Sequence, residues 1–347
     1  MLAEGKTWTA GVVCEELGLE SPPAALLDLL AAEEAPAMLD SSALHPEYGR
    51  YSLLACSPVE TLTLREGVLT DDAGRTLAAD DDSIWEALAR AFSAVRLSER
   101  PAGIGYLPGW IGYVGYEVGR HVERLPGKAR RDTHFPDLRL ALYDAILLYD
   151  ALRRRWVLVS LKFDSPPAGA GQAAGALRRI AAEAARYVAE PPAPVESASA
   201  AAMETVTDLQ GNFTPDEYRR TVARCIEYIA AGDIFQVNLS QRFTVPHVPD
   251  PAGAYRVLRK RNPAWYSAYL GFRHANKPLA VLSSSPELFL RLRDGRVTTR
   301  PIKGTCPRGT TPEEDERRRS QLLVSENCLL YTSDAADELD GVDLGGR

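Results

Sequence analysis

The sequence predicts an α+β fold, with antiparallel sheets and helices packed on them. Three observations lead there. Strand-length apolar runs follow one another at 51–55, 59–64, 140–149 and 156–163, and again at 266–272, 279–283, 287–293 and 296–302. Several are separated only by turn-length gaps, too short for the crossover that a parallel pair needs. Helical periodicity is confined to a few segments, so the strict alternation of strand and helix that marks a parallel sheet is missing.

In chain order, residues 24–34 suit a short helix, and 51–55 and 59–64 suit strands. Residues 83–97 read as an amphipathic helix with Ile84, Leu88, Phe92 and Val95 near one face. Between 103 and 119 glycine alternates with aromatic residues, as in Gly109-Trp110-Ile111-Gly112-Tyr113-Val114-Gly115-Tyr116. That spacing fits neither a GxxxxGK[ST] phosphate loop nor a strand–GxGxxG–helix unit, so the run is read as packing. The runs 140–149 and 156–163 flank a charged turn at Arg153-Arg154-Arg155 and predict a hairpin. Residues 190–212 are rich in Pro, Ala and Ser and read as a linker. A chain of 347 residues then divides into a first domain over 1–205 and a second beginning at 212.

The second part opens on Thr214-Pro215-Asp216-Glu217, which combines an N-cap Thr, a Pro at the first helical position and a Glu at N3. Tyr218, Val222, Cys225, Ile226 and Ile229 continue as one apolar stripe, and Gly232 supplies the stop. Residues 234–245 read as a strand, and 251–261 as a helix ending before Pro263.

Composition excludes several function classes. A net charge of −7, with only short basic clusters, argues against a nucleic-acid partner. Five scattered cysteines without CxxC spacing suit a reducing compartment. The five histidines form no HxxxH or HExxH pattern that would hold a metal. The start of the chain lacks a signal-peptide pattern, and no run reaches the ~18 apolar residues of a membrane span. A cytoplasmic protein without a membrane partner is expected.

Chemistry concentrates between 283 and 308, in SSSPELFLRLRDGRVTTRPIKGTCPR. Asp294-Gly295 is a turn signal between two strand-like runs. Glu287 and Lys303 then lie near the two open ends of a hairpin. A two-residue turn places them on opposite faces, whereas a three-residue turn with a glycine bulge places them on the same face. Only the second arrangement permits a joint role. A lysine amine is a nucleophile when neutral, and desolvation makes that form accessible. A neighbouring carboxyl group can move a proton to or from a leaving hydroxyl. The plain alternative is an exposed strand-end lysine with a salt-bridge partner.

SSSPELF and RPIKGTCPRG resemble the SPE(R/L)F and PIKGT motifs of the chorismate-utilising family. GDIFQVNLSQRF at 232–243 is similar to its GDxxQVNLxQRF segment, and NPAWYSAY at 262–269 to its NPxPxSAxL segment. GWIGYVGYEVGR at 109–120 and Gly49-Arg50-Tyr51-Ser52 resemble stretches of the same proteins, so the resemblance runs over about 36–327. It implies a chorismate-utilising fold, magnesium as cofactor and chorismate as substrate. Members that make anthranilate carry an apolar residue at the position of Lys303, whereas those that aminate chorismate at C4 commonly carry Lys. Ser267-Ala268 points to the second group. On that resemblance Lys303 is the nucleophile at C2 of chorismate and Glu287 the general acid/base. Gly304 and Thr305 then offer donors to a substrate carboxylate. Ser41, in Met38-Leu39-Asp40-Ser41, resembles a serine that lines an amino-acid pocket taking tryptophan; a serine bonding only the local backbone is the alternative. Ammonia is expected from a separate glutamine amidotransferase subunit.

After Asn327 the resemblance stops. The family's magnesium-binding Glu would fall at 331, where this chain has Tyr331. The catalytic half, from 212 to 327, is therefore expected to be incomplete and the chain as written inactive. The segment from Cys328 to Arg347 resembles an in-frame translation of a transposon-end sequencing adapter, and 328–347 is expected to be a non-native tail.

Overall fold

A computed structural model describes residues 6–124, 131–189, 209–245, 248–302 and 304–324. Most of the expected linker, Lys303, Tyr331 and the expected tail at 328–347 lie outside the described residues. The chain begins with β1 (Trp8–Leu17), α1 (Leu27–Ala31), β2 (Ala37–Asp40), β3 (Tyr51–Ala55) and β4 (Glu60–Arg65). Next come β5 (Val68–Thr70), β6 (Thr76–Ala78), α2 (Asp81–Ser93), β7 (Val95–Leu97) and β8 (Trp110–Val114). Then follow β9 (Leu138–Leu142), β10 (Ala145–Asp150), β11 (Arg155–Phe163) and α3 (Gln172–Ala189). The later part gives β12 (Gln210–Gly211), α4 (Pro215–Ala231), β13 (Phe243–Thr244), α5 (Pro251–Arg261) and β14 (Tyr266–His274). It ends with β15 (Lys277–Ser285), β16 (Leu288–Arg293), β17 (Arg296–Arg300) and α6 (Pro312–Leu323).

An eight-stranded sheet runs in the order β15-β14-β2-β3-β10-β11-β1-β7. Its pairs are antiparallel except β1 with β7. Side chains alternate across its pleat. Leu54, Leu147, Trp156 and Leu158 point to a core with Leu26, Leu30, Leu177, Ile180 and Tyr255, under α1, α3 and α5. Leu53, Ile146, Leu148, Val157 and Val159 point the other way, onto Ile111, Tyr113 and Ala141 of a five-stranded sheet and onto Tyr143 at its end. The outer face of that second sheet, with Leu62, Leu64 and Leu138, buries Ile84, Leu88 and Ala91 of α2. The layers are helices, sheet, sheet, helix. Antiparallel sheets with helices packed on them were the expectation, and they are what forms.

The glycine/aromatic run acts as packing. A Cβ at Gly112 would stand 1.9 Å from the Arg139 carbonyl oxygen across the β8–β9 ladder. Only glycine lets the two backbones approach so closely.

Several expectations are corrected. The run 140–149 is two strands: β9 belongs to the five-stranded sheet and β10 to the eight-stranded one, with the break at Tyr143-Asp144. Apolar residues on both sides of Asp144 suit a chain buried on both faces as it turns from one sheet into the next, and so hide the corner. The helix expected over 83–97 spans Asp81–Ser93, and its last residues form β7 instead. Phe92, counted on its apolar face, is exposed. Residues 234–245 pair only at Phe243–Thr244, with Gln210–Gly211. Alternation alone does not make a strand without a longer partner. The helix opening at Thr214 has its capping box and left-handed Gly232 as expected, yet none of its stripe is buried.

Candidate functional site

The segment holding the expected chemistry is a two-stranded hairpin, β16 with β17. Asp294 and Gly295 both take positive φ, at 51° and 75°, the geometry of a type I′ turn. Arg293 faces Arg296, so the turn has two residues rather than three with a bulge. The bulge lies further along, between Leu288 and Arg291, and Leu288 comes to face Arg300. That one-residue slip changes the face parity towards the open end, which the turn alone would have left unfavourable. The ladder ends at Leu288 and Arg300, just short of both candidate groups.

Glu287 sits between β15 and β16, exposed, with its N–H directed at Ser285 Oγ at 3.4 Å. Ser285 in turn faces Tyr266 in the β14–β15 ladder, so Glu287 leaves directly from the edge of the eight-stranded sheet. Gly304 and Thr305 are exposed, and Gly304 has φ 73°. The placement of Lys303 relative to Glu287 lies outside the described residues.

Ser41 is spoken for by backbone. Its hydroxyl lies 2.8 Å from the Tyr51 carbonyl oxygen and 3.1 Å from that of Trp265, and its N–H donates to Ser52 Oγ at 3.2 Å. The bonding competes with a ligand role, but it is not local, since Trp265 lies 224 residues further along the chain. Beside it, Asp40 is 2% exposed. It accepts from Ser52 Oγ at 3.0 Å and from Arg259 Nε at 2.6 Å. Asp40 thus joins β2 to α5, a link that a resemblance to a short motif did not reveal. Arg50, of the Gly49-Arg50-Tyr51-Ser52 stretch, bonds both oxygens of Asp150 at 3.0 and 2.7 Å. Burial alone would raise the Asp150 carboxyl, but the Arg50 pair and the N–H groups of Leu152 and Arg153 together hold it below its ordinary range.

A cleft of about 750 Å³ opens elsewhere, lined by Glu33, Glu60, Arg139, Tyr269, Phe272 and Arg273 among others. None of Ser41, Glu287, Gly304 or Thr305 lines it. Among the described residues one group of carboxylates lies close enough to suggest a metal: Glu60, Asp71 and Asp72. Asp71 is already bonded to Arg75, by Nε at 2.7 Å and by the backbone N–H at 2.8 Å. The group belongs to β4 and the β5–β6 turn, elements other than those carrying Glu287, Gly304 and Thr305. It therefore does not fit a magnesium ion serving the hairpin. Among the described residues no helix is long and apolar enough to cross a membrane.

A family of proteins described as chorismate binding enzyme matches residues 44–327. Aminodeoxychorismate synthase component 1 of Klebsiella aerogenes is 31% identical over 308 residues, covering 88% of this chain and 61% of that protein. Anthranilate synthase component 1 of Thermus thermophilus is 34% identical over 319 residues, covering 90% of this chain and 64% of its own length. The crystal structure of anthranilate synthase component I from Streptococcus pneumoniae aligns with a TM-score of 0.57 at 23% identity, covering 85% of this chain and 61% of that one; this likeness concerns the fold. The chain belongs to the chorismate binding enzyme family. It spans about 61–64% of the length of those two curated relatives.

Proposed function

We propose that the protein aminates chorismate at C4 with ammonia, giving 4-amino-4-deoxychorismate. The observation that carries this reading is Lys303 in Pro301-Ile302-Lys303-Gly304-Thr305, at a position where the family resemblance implies an apolar residue in anthranilate-forming members. Lys303 attacks C2 of the ring through its neutral amine. The two ring double bonds shift, and the C4 hydroxyl leaves as water with a proton from Glu287. Ammonia then adds at C4, the double bonds shift back, and the lysine leaves C2. Glu287 takes up the proton that the incoming ammonia releases. Each step forms one bond and breaks one, and the sum is chorismate plus ammonia giving product plus water. Gly304 and Thr305 offer an N–H and a hydroxyl to a substrate carboxylate.

Ammonia reaches this site from a separate glutamine amidotransferase subunit in this reading. Magnesium, which the family resemblance brings, finds no fitting set of carboxylates beside Glu287 among the described residues, and no step above runs through it. A second reading, anthranilate formation, draws on the identity to the Thermus thermophilus protein. Product analysis separates the two. The protein encoded at the genomic locus is incubated with chorismate, magnesium and ammonium. Aminodeoxychorismate as the product supports the amination reading, and anthranilate as the sole product favours the second.

A further inference from the structure

The hairpin β16–β17 is a sheet of two strands, and such a unit is marginally stable at best on its own in water. Its strands find little to pack on: Phe289 is 82%, Leu292 73% and Val297 63% exposed. Its base is different. Arg300, the last paired residue of β17, reaches the loop between β2 and β3. Its Nη2 donates to Glu47 Oε1 at 2.5 Å, and its guanidinium lies 3.6 Å from the centroid of the Tyr48 ring. A guanidinium over an aromatic face and beside a carboxylate is held in two directions at once.

The loop that receives Arg300 is itself fixed. The Tyr48 ring stacks on His45, centroids 4.1 Å apart and planes within 4°. Both rings lean on Trp265, at 5.3 and 5.6 Å. Ser42 Oγ accepts from the Ala264 N–H at 2.9 Å, and the Ala43 N–H donates to the Ala264 carbonyl at 3.2 Å. A Cβ at Gly49 would lie 2.0 Å from the Ala43 carbonyl oxygen, so the loop closes on itself without slack. Its anchor, Trp265, directly precedes β14 of the large sheet.

We infer that Arg300, clamped between Glu47 and Tyr48, is the positioning residue that sets the base of the hairpin, and with it the place from which Glu287 reaches the substrate. The inference rests on the role proposed above for Glu287. Leu288, opposite Arg300, is the residue after Glu287. Fixing this one rung therefore confines the backbone beside Glu287. The Arg300 hydrogen bond also holds the Glu47 carboxyl below its ordinary range, as a paired carboxylate should be.

Hydrogen–deuterium exchange of the 1–347 chain tests this without requiring turnover, so failure of the clamp and failure of the amination reading remain distinguishable. Arg300→Met should raise exchange of the β16–β17 amides roughly three- to thirtyfold, the range for one exposed ion pair plus one cation–π contact, and Glu47→Gln, which removes only the ion pair, by up to about fivefold. The β14–β15 amides should keep wild-type rates. Arg300→Lys, which keeps the charge over Tyr48, should recover part of the protection, a rescue that a mere loss of bulk would not give. Wild-type rates in Arg300→Met, a hairpin already unprotected in the wild type, or loss spread equally into β14 and β15 would overturn the inference.

Discussion

Asp40 shows how much a single side chain carries in this fold. Its carboxylate is buried between Ser52 of β3 and Arg259 of α5, and Arg259 keeps a side-chain exposure of only 20%. Removing one partner of such a pair leaves the other charge without compensation, which costs more than the pair contributes. Asp40→Ala should lower the free energy of unfolding by about 3 kcal/mol in urea titrations. Asp144 carries a prediction with pH. Its Oδ2 accepts from the Gly171 N–H at 2.5 Å, while Oδ1 has no hydrogen-bond partner among the described residues. Burial raises its pKa above the ordinary carboxylate value, against the pull of that hydrogen bond. The folded state therefore binds this proton more tightly than the unfolded chain does. Its contribution favours folding below the ordinary range and is lost as pH rises through the raised native value. Asp144→Asn should flatten that part of a plot of urea midpoint against pH. From sequence, Ser41 reads by resemblance as lining an amino-acid pocket, with a strand-end serine as the alternative, and the ion pairs of Asp40 and Arg300 are not legible. Their partners lie more than two hundred residues away along the chain, and a local motif does not point to them.

Elements were more legible where the signal is local. The capping box at Thr214, the left-handed Gly232 and the Asp294-Gly295 turn all follow from short-range stereochemistry and form as read. What failed depended on partners. The run 140–149 conceals a sheet change because both of its neighbours are apolar, and 234–245 has alternation without a ladder to join. The bulge between Leu288 and Arg291 is likewise invisible in the sequence, yet it decides which way the base of the hairpin faces. Close approach within the five-stranded sheet gives the sharpest prediction at this scale. Gly112→Ala drives a methyl group against the Arg139 carbonyl, an atom that cannot swing aside. The β8–β9 ladder should part locally, with a loss of about 2 kcal/mol or more in unfolding free energy. Wild-type stability of that variant would show the strand spacing to be wrong.

Across the whole molecule, burial is uneven. The sheets and helices of the first 189 residues enclose continuous cores, whereas among the described residues Ile226, Phe235, Phe243, Phe289 and Leu323 of the later part are exposed. The two parts are not separate bodies in the sheet, because β14 pairs with β2 and so extends the first part's strands with the later part's. This shared sheet brings the loop at 41–49 to the base of the hairpin that precedes Lys303. In the reading proposed above, Lys303 is the nucleophile that directs amination to C4. The most direct test of that reading compares wild type and Lys303→Ala, from the gene as encoded at its locus, by product analysis with chorismate, magnesium and ammonium. The wild type should give aminodeoxychorismate, and the variant should lose it or turn toward anthranilate. The same product, at the same rate, from both proteins would contradict it.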